Sequence, residues 1–80
     1  MKLLELTEFL IKKIVSDPDT VSLKQFEEDD EIIIEVLVEE NDMGQVIGRG
    51  GKTANAIRTI VQAAAYQNTK KRIKINIDSM

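Results

Sequence analysis

Two cations set among glycines are the residues of this chain best placed to act on a ligand. The run Val46-Ile47-Gly48-Arg49-Gly50-Gly51-Lys52-Thr53 holds three of the four glycines in an 80-residue sequence, and Gly44 lies just upstream. Glycine lets a backbone come close to a bound group and adopt positive φ. After the run, Ala54, Ile57, Ile60, Val61 and Ala64 recur with the period of a helix. A helix start offers unpaired N–H groups and the positive end of a dipole, and both favour a phosphate. With Arg49 and Lys52 beside those groups, the run reads as a phosphate-contacting loop.

The spacing excludes the common mononucleotide and dinucleotide loops. Gly51-Lys52-Thr53 looks like the end of G-x-x-x-x-G-K-[ST], but that pattern needs a glycine where Val46 stands. Only 27 residues follow Thr53, too few for the rest of a nucleotide-hydrolysing fold. A G-x-G-x-x-G fingerprint starting at Gly48 needs glycine at Thr53, and so fails too. A plain glycine-rich turn between helices would not need two cations at its tip.

Composition narrows the chemistry further. The chain has no Cys and no His, which excludes disulfides, thiolate or imidazole zinc sites and Cys- or His-based catalysis. No convincing carboxylate constellation stands in their place, so no catalytic residue, metal, cofactor or small-molecule substrate is expected. Met1-Lys2-Leu3-Leu4 is followed by Glu5 and Glu8 and does not read as a signal peptide, and no run is long enough to span a bilayer. A cytoplasmic protein is expected. Hydrophobic residues make up 42% of the chain, enough for one core, so residues 1–80 are read as a single domain. The net charge of −3 is unevenly spread. Residues 1–42 hold four cations and thirteen acids, a net −9, whereas residues 43–80 hold seven cations and one acid, a net +6. A polyanion would meet the second half, because the local field matters more than the total.

Hydrophobic periodicity gives six elements. Leu3 to Val15 predicts an amphipathic helix, with Leu3, Leu6, Leu10 and Ile14 along its stripe and Leu4, Ile11 and Val15 widening it. Ser16-Asp17-Pro18-Asp19 stops that helix. Thr20 to Phe26 predicts a strand, and Glu27 to Asp30 a turn. Glu31 to Glu39 predicts a second strand with Ile32, Ile34, Val36 and Val38 on one face. On its other face Glu31, Glu35 and Glu39 form a solvated row that Arg72 and Lys74 would offset. Asn41 to Ile47 predicts a short helix and Lys52 to about Asn68 a longer one, closed by Lys70-Lys71. On the longer helix Ala54, Ile57, Val61 and Ala64 form the expected core stripe. A second stripe, Ala56, Ile60, Ala63 and Gln67, remains for self-association. Arg72 to Asp78 predicts the last strand, with Ile73, Ile75 and Ile77 facing inward.

Ile47-Gly48-Arg49-Gly50-Gly51 matches I-G-x-x-G, and the longer stretch VIGRGGKTANAIRTIV, followed by I-x-I-x-I, resembles the signature of a KH domain. In that family the G-x-x-G loop clamps the backbone of about four nucleotides. The α-β-β-α-α-β order resembles the type II, bacterial form: an α+β fold with a three-stranded mixed sheet and three helices on one face. The resemblance covers essentially the whole chain. Length and the acidic first half narrow it to the small stand-alone bacterial KH-domain proteins of the KhpA family. It implies a single-stranded RNA-binding protein acting as an RNA chaperone or post-transcriptional regulator. Val46, Ile47, Gly48, Arg49, Gly50, Gly51, Lys52 and Ile57, with part of the last strand, would form the RNA-binding groove. It also implies a homodimer, and a heterodimer with a larger multidomain KH protein. The other reading is a KH-fold protein–protein adaptor with little RNA binding of its own. The intact loop speaks against it, since degenerate KH domains often lose the glycines or gain an acid there. The only aromatics, Phe9, Phe26 and Tyr66, are remote from the loop in sequence, so no stacking platform is expected.

Overall fold

The computed structural model, which describes residues 2–80, runs α1 (Leu3–Lys12), β1 (Ser22–Glu27), β2 (Glu31–Val38), α2 (Met43–Ile47), α3 (Lys52–Tyr66) and β3 (Arg72–Ser79). This is the α-β-β-α-α-β order expected from the sequence. Single 3-10 turns stand at Pro18–Thr20, Glu40–Asp42 and Arg49–Gly51. The sheet order is β1-β2-β3. β1 pairs antiparallel with β2, placing Phe26 opposite Ile33 and Lys24 opposite Glu35. β3 pairs parallel with β2, from Glu31 beside Arg72 to Val38 beside Ser79.

Alternation along β2 fixes the layers. Ile32, Ile34, Val36 and Val38 are buried, while Glu35 and Leu37 remain exposed, because successive side chains of a strand point to opposite faces. The buried row meets Ile11 and Val15 from the first helical segment, Val46 from α2, Ile57 and Val61 from α3, and Ile75 from β3 in one cluster. The helices therefore cover a single face of the sheet. On the open face Arg72 lies beside Glu31 and Lys74 beside Ile33. Among the described residues these cations make no direct ion pair with the acids; the pairs present are Lys12–Glu8 and Lys71–Glu27.

Local chemistry shifts several boundaries. α1 ends at Lys12 rather than Val15, although Val15 N–H still donates to Ile11 O and the side chain stays in the core. The centre of its stripe is Thr7 and Ile11, both fully buried, with the leucines packed around them. Thr7 tolerates that position because its hydroxyl donates to Leu3 O at 2.8 Å. β1 starts at Ser22 because the Asp17 carboxylate accepts from Asp19 N–H and the Thr20 hydroxyl donates to Asp17 O, which holds Pro18–Thr20 in a turn. On α3 the deepest alanine after Val61 is Ala65, four residues on, and not Ala64. Lys71 does not serve the end of that helix. Its ammonium reaches the β1–β2 turn, 2.8 Å from Glu27 Oε2 and 2.7 Å from Glu28 O.

One part-buried polar contact ties the segment after α1 to the head of α2. Asp42, at the head of α2, accepts from Ser16 N–H at 3.2 Å and from the Ser16 hydroxyl at 3.1 Å. No described buried side-chain polar atom lacks a partner, as a well-specified core requires.

The division between core and surface gives a direct test. Ile34→Ala should lower the unfolding free energy by about 2–5 kcal/mol, the range for truncating a buried aliphatic. Tyr66→Ala, at the exposed end of α3, should change it by less than about 1 kcal/mol. Urea denaturation of the two variants checks the assignment.

Candidate nucleic-acid interface

The loop is built by three glycines that all take positive φ. α2 stops at Ile47, and Gly48 turns the chain with φ 77° and ψ 170°, a region essentially restricted to glycine. Gly50 (φ 64°, ψ 19°) and Gly51 (φ 80°, ψ 12°) follow in the left-handed helical region and deliver the chain to Lys52, the first residue of α3. Gly48 is constrained twice. A Cβ there would stand 2.8 Å from the Thr53 backbone nitrogen and closer still to its hydroxyl. At Gly50 the same atom would meet nothing within 4 Å, and at Gly51 only Asn55 Nδ2 at 3.7 Å.

Two of the loop's four N–H groups are spent internally. Gly48 N–H donates to Gly44 O at 2.9 Å and Gly51 N–H to Gly48 O at 3.1 Å. Arg49 and Gly50 stand at the head of the turn, where N–H groups have no partner within it. Those two remain to face a ligand. Arg49, Gly50 and Lys52 are exposed, and Ile47, Gly48 and Gly51 are half-buried. Arg49 and Lys52 have no ion-pair partner among the described residues, so both charges face solvent.

Two residues expected in the groove are elsewhere. Val46 is 0% and Ile57 3% exposed, and both belong to the core cluster. Their side chains are spent on the core and leave a base little surface to touch. The second stripe of α3 is outside: Ala56, Ile60, Ala63 and Gln67 are exposed, with Ile60 at 47%. Ile60 and Ala63 therefore do not complete the core.

A third face of α3 escaped the sequence reading. Asn55, Arg58, Thr59, Gln62 and Tyr66 run from beside the loop to the end of the helix on the flank toward β3. Arg58 Nε and Nη2 each donate to Ile75 O at 3.3 Å, and Nη1 donates to Asn55 Oδ1 at 3.2 Å. Gln62 Oε1 accepts from Ile73 N–H at 3.1 Å. β3 is an edge strand, and these side chains engage backbone groups that a sheet edge otherwise leaves open. Between α3 and β3 lies a cleft of about 460 Å³ lined by Arg58, Thr59, Gln62, Ala63, Tyr66 and Ile73. The polar spacing of 55, 58, 62 and 66 carried the signal. It was masked because attention to apolar periodicity ignores a polar stripe.

Among the described residues no group of three His, Cys, Asp or Glu could hold a metal ion, and no helix is long and apolar enough to cross a membrane.

Residues 5–77 match the family model described as KhpA/KhpB, KH domain. The chain is similar to the RNA-binding protein KhpA of Caldanaerobacter subterraneus subsp. tengcongensis, 44% identical over 73 residues that cover 91% of this chain and 96% of the relative. It is 43% identical to the RNA-binding protein KhpA of Clostridium perfringens, over 84% of this chain and 89% of the relative. For the Bacillus subtilis protein of the same name the identity is 39%, over 84% and 83%. Among solved structures the fold resembles Era in complex with MgGDPNP and nucleotides 1506-1542 of 16S ribosomal RNA. There the TM-score is 0.73 and the identity 15%, with 98% of this chain and 30% of that chain covered.

The geometry of the loop ranks its glycines. Gly50→Ala should cost about 1–2 kcal/mol, the penalty of a left-handed alanine. Gly48→Ala should cost distinctly more, because the collision with Thr53 adds to the backbone term. Thermal unfolding of the two variants measures the difference.

Proposed function

The chain belongs to the KhpA/KhpB KH-domain family, and from that premise we propose that it binds single-stranded RNA, with Gly48, Arg49, Gly50, Gly51 and Lys52 holding the phosphate backbone. The observation that carries this reading is the loop itself: two N–H groups without a partner in the turn, and two cations without an ion-pair partner among the described residues, at one exposed tip. Hydrogen bonds to an anion are stronger than those between neutral groups, and a preformed loop need not be ordered on binding. Ile47 contributes apolar surface beside the loop. The residues beyond position 42 supply the positive field that draws the polymer in, and the acidic first half discourages binding elsewhere. A domain of this kind serves as an RNA chaperone or post-transcriptional regulator in the cytoplasm.

Self-association is part of the same proposal. Ala56, Ile60, Ala63 and Gln67 give α3 an exposed stripe of small and aliphatic residues that suits close helix packing, either between two copies or with a larger multidomain KH protein. Two linked grooves raise the effective concentration for the second contact, so a dimer grips a longer RNA far better than one domain does.

Replacing Arg49 and Gly50 together by Asp should abolish RNA binding in a folded protein. Two carboxylates then face the phosphates, while aspartate tolerates the left-handed backbone at position 50 better than most residues. Circular dichroism and fluorescence-anisotropy titration decide this; a folded double variant with unchanged affinity would remove the loop from the site. The wild-type salt dependence should be shallow, with a log–log slope near −2 for about three phosphate contacts.

Ile60→Glu should give monomers, because a carboxylate would be buried against the partner without a hydrogen bond. Affinity for long RNA should fall more than affinity for a tetranucleotide. Analytical ultracentrifugation of wild type and variant reads the outcome, and a wild type that sediments as a monomer while still gripping long RNA defeats the interface.

A further inference from the structure

We propose that Asp42 is a positioning residue for the glycine loop: through its bonds to Ser16 it sets the place of α2, and so the point at which the chain enters the loop. The inference rests on the RNA reading of the loop and adds a residue that touches no ligand. Asp42 is 6% exposed and is one of two buried polar residues among those described, the other being Thr7. Its place in the sequence fits a different task. An aspartate just before a helix commonly caps it, its carboxylate accepting from the first free N–H groups. Here it makes no such bond. The 3-10 turn Glu40–Asp42 runs straight into α2, so Asp42 has φ −95° and ψ −8° rather than the extended backbone that a cap adopts. The carboxylate turns instead to Ser16, 26 residues earlier in the chain. Oδ1 accepts from the backbone N–H and Oδ2 from the hydroxyl. Ser16 is a firm anchor, because Val15 before it is in the core and the Asp17 carboxylate after it accepts from Asp19 N–H.

Direction is what α2 lacks on its own. It has five residues, far below the length at which an isolated helix is stable, so tertiary contacts must hold it. Val46 is fully buried, and Met43 packs against the same cluster. Apolar packing is non-directional and leaves a single turn of helix free to roll. Two hydrogen bonds on one carboxylate have a preferred geometry and remove that freedom. Gly48 stands six residues after Asp42, about 9 Å at the rise of a helix. Over so short a lever, a roll at the head of α2 reaches Arg49 and Gly50 undiminished.

Charge and positioning predict opposite signs. Removing an acid should by charge alone tighten binding to a polyanion. Asp42→Ala should instead weaken binding of fluorescein-labelled octauridylate by about fivefold or more, the lower end of the usual range for coupled sites. Ser16→Ala keeps the backbone N–H bond and should lose less. The double variant should bind no worse than Asp42→Ala, because both substitutions remove the same contact. Asp42→Asn keeps an acceptor and Ser16→Thr a hydroxyl, and both should bind at least as well as wild type. Ile32→Val, a mild truncation in the core of β2, should leave affinity unchanged. Amide hydrogen exchange gives an independent reading. Gly48 and Gly51, whose N–H groups are bonded to Gly44 O and Gly48 O, should exchange faster in Asp42→Ala but not in Ile32→Val. A folded Asp42→Ala that binds as tightly as wild type, or more tightly, overturns the proposal. Additive losses from the two single substitutions also overturn it. If Asp42→Ala does not fold, Ser16→Ala carries the same two measurements, and no change in either defeats the idea. If wild type does not bind the octamer, the loop reading fails, and the positioning of α2 stands or falls on exchange at Gly48 and Gly51.

Discussion

Everything at the glycine loop depends on how closely α3 approaches Gly48. Thr53, in the first turn of α3, sits where a side chain at position 48 would have to be. The backbone at Gly48 adopts a conformation that other residues essentially never take. Because that residue has no Cβ, α2 ends and α3 begins within four residues. Val46 and Ile57 can then both reach the core while Arg49 and Gly50 project outward. A looser connection would let the helices move apart and bury the tip or let it fluctuate. The residues that flank the loop, Val46 and Ile57, are core residues, and they tie its two ends to the body of the domain.

Charge is distributed to match. The acids of the first half collect on the β1–β2 turn and on the open sheet face, and the cations of the second half on the loop, α3 and the start of β3. The two halves meet at Lys71, which spans from the α3–β3 connection to the acidic turn. As an exposed pair it adds little to stability. Its position matters more, since it holds the start of β3 near β2 at the point where their parallel pairing begins.

Legibility followed the strength of the period. The β2 alternation placed all four of its buried residues, and the I-G-x-x-G run marked the loop without any structure. The elements were found with some boundaries displaced, because local hydrogen bonds compete with propensity at their ends, as Thr20 to Asp17 does where β1 was expected to start. Sequence could not tell Ala64 from Ala65, two small residues at the edge of one stripe. Nor could it show that Val46 and Ile57 serve as floor rather than wall, since an aliphatic beside a loop suits either role. Thr7 at the centre of α1 was invisible because a threonine reads as polar until its hydroxyl is seen bonded to Leu3 O. The stripe of Asn55, Arg58, Gln62 and Tyr66 was missed for a related reason: its meaning depends on β3, which lies beside it only once the chain has crossed over.

That crossover also sets an order of events in time. Glu31 pairs with Arg72 across an intervening stretch that contains α2, the loop and all of α3. Contacts between residues so distant in sequence are the slow ones in folding, because the entropy of closing the loop is lost before the pairing rewards it. The β1–β2 hairpin and the α2–loop–α3 turn are local and can form early. The sheet is completed only when β3 docks, and until then one edge of β2 is unpaired and exposed. A chain released with its last strand missing would leave that open edge of β2 to pair with other copies, so the final eight-residue strand guards against aggregation as much as it completes the domain.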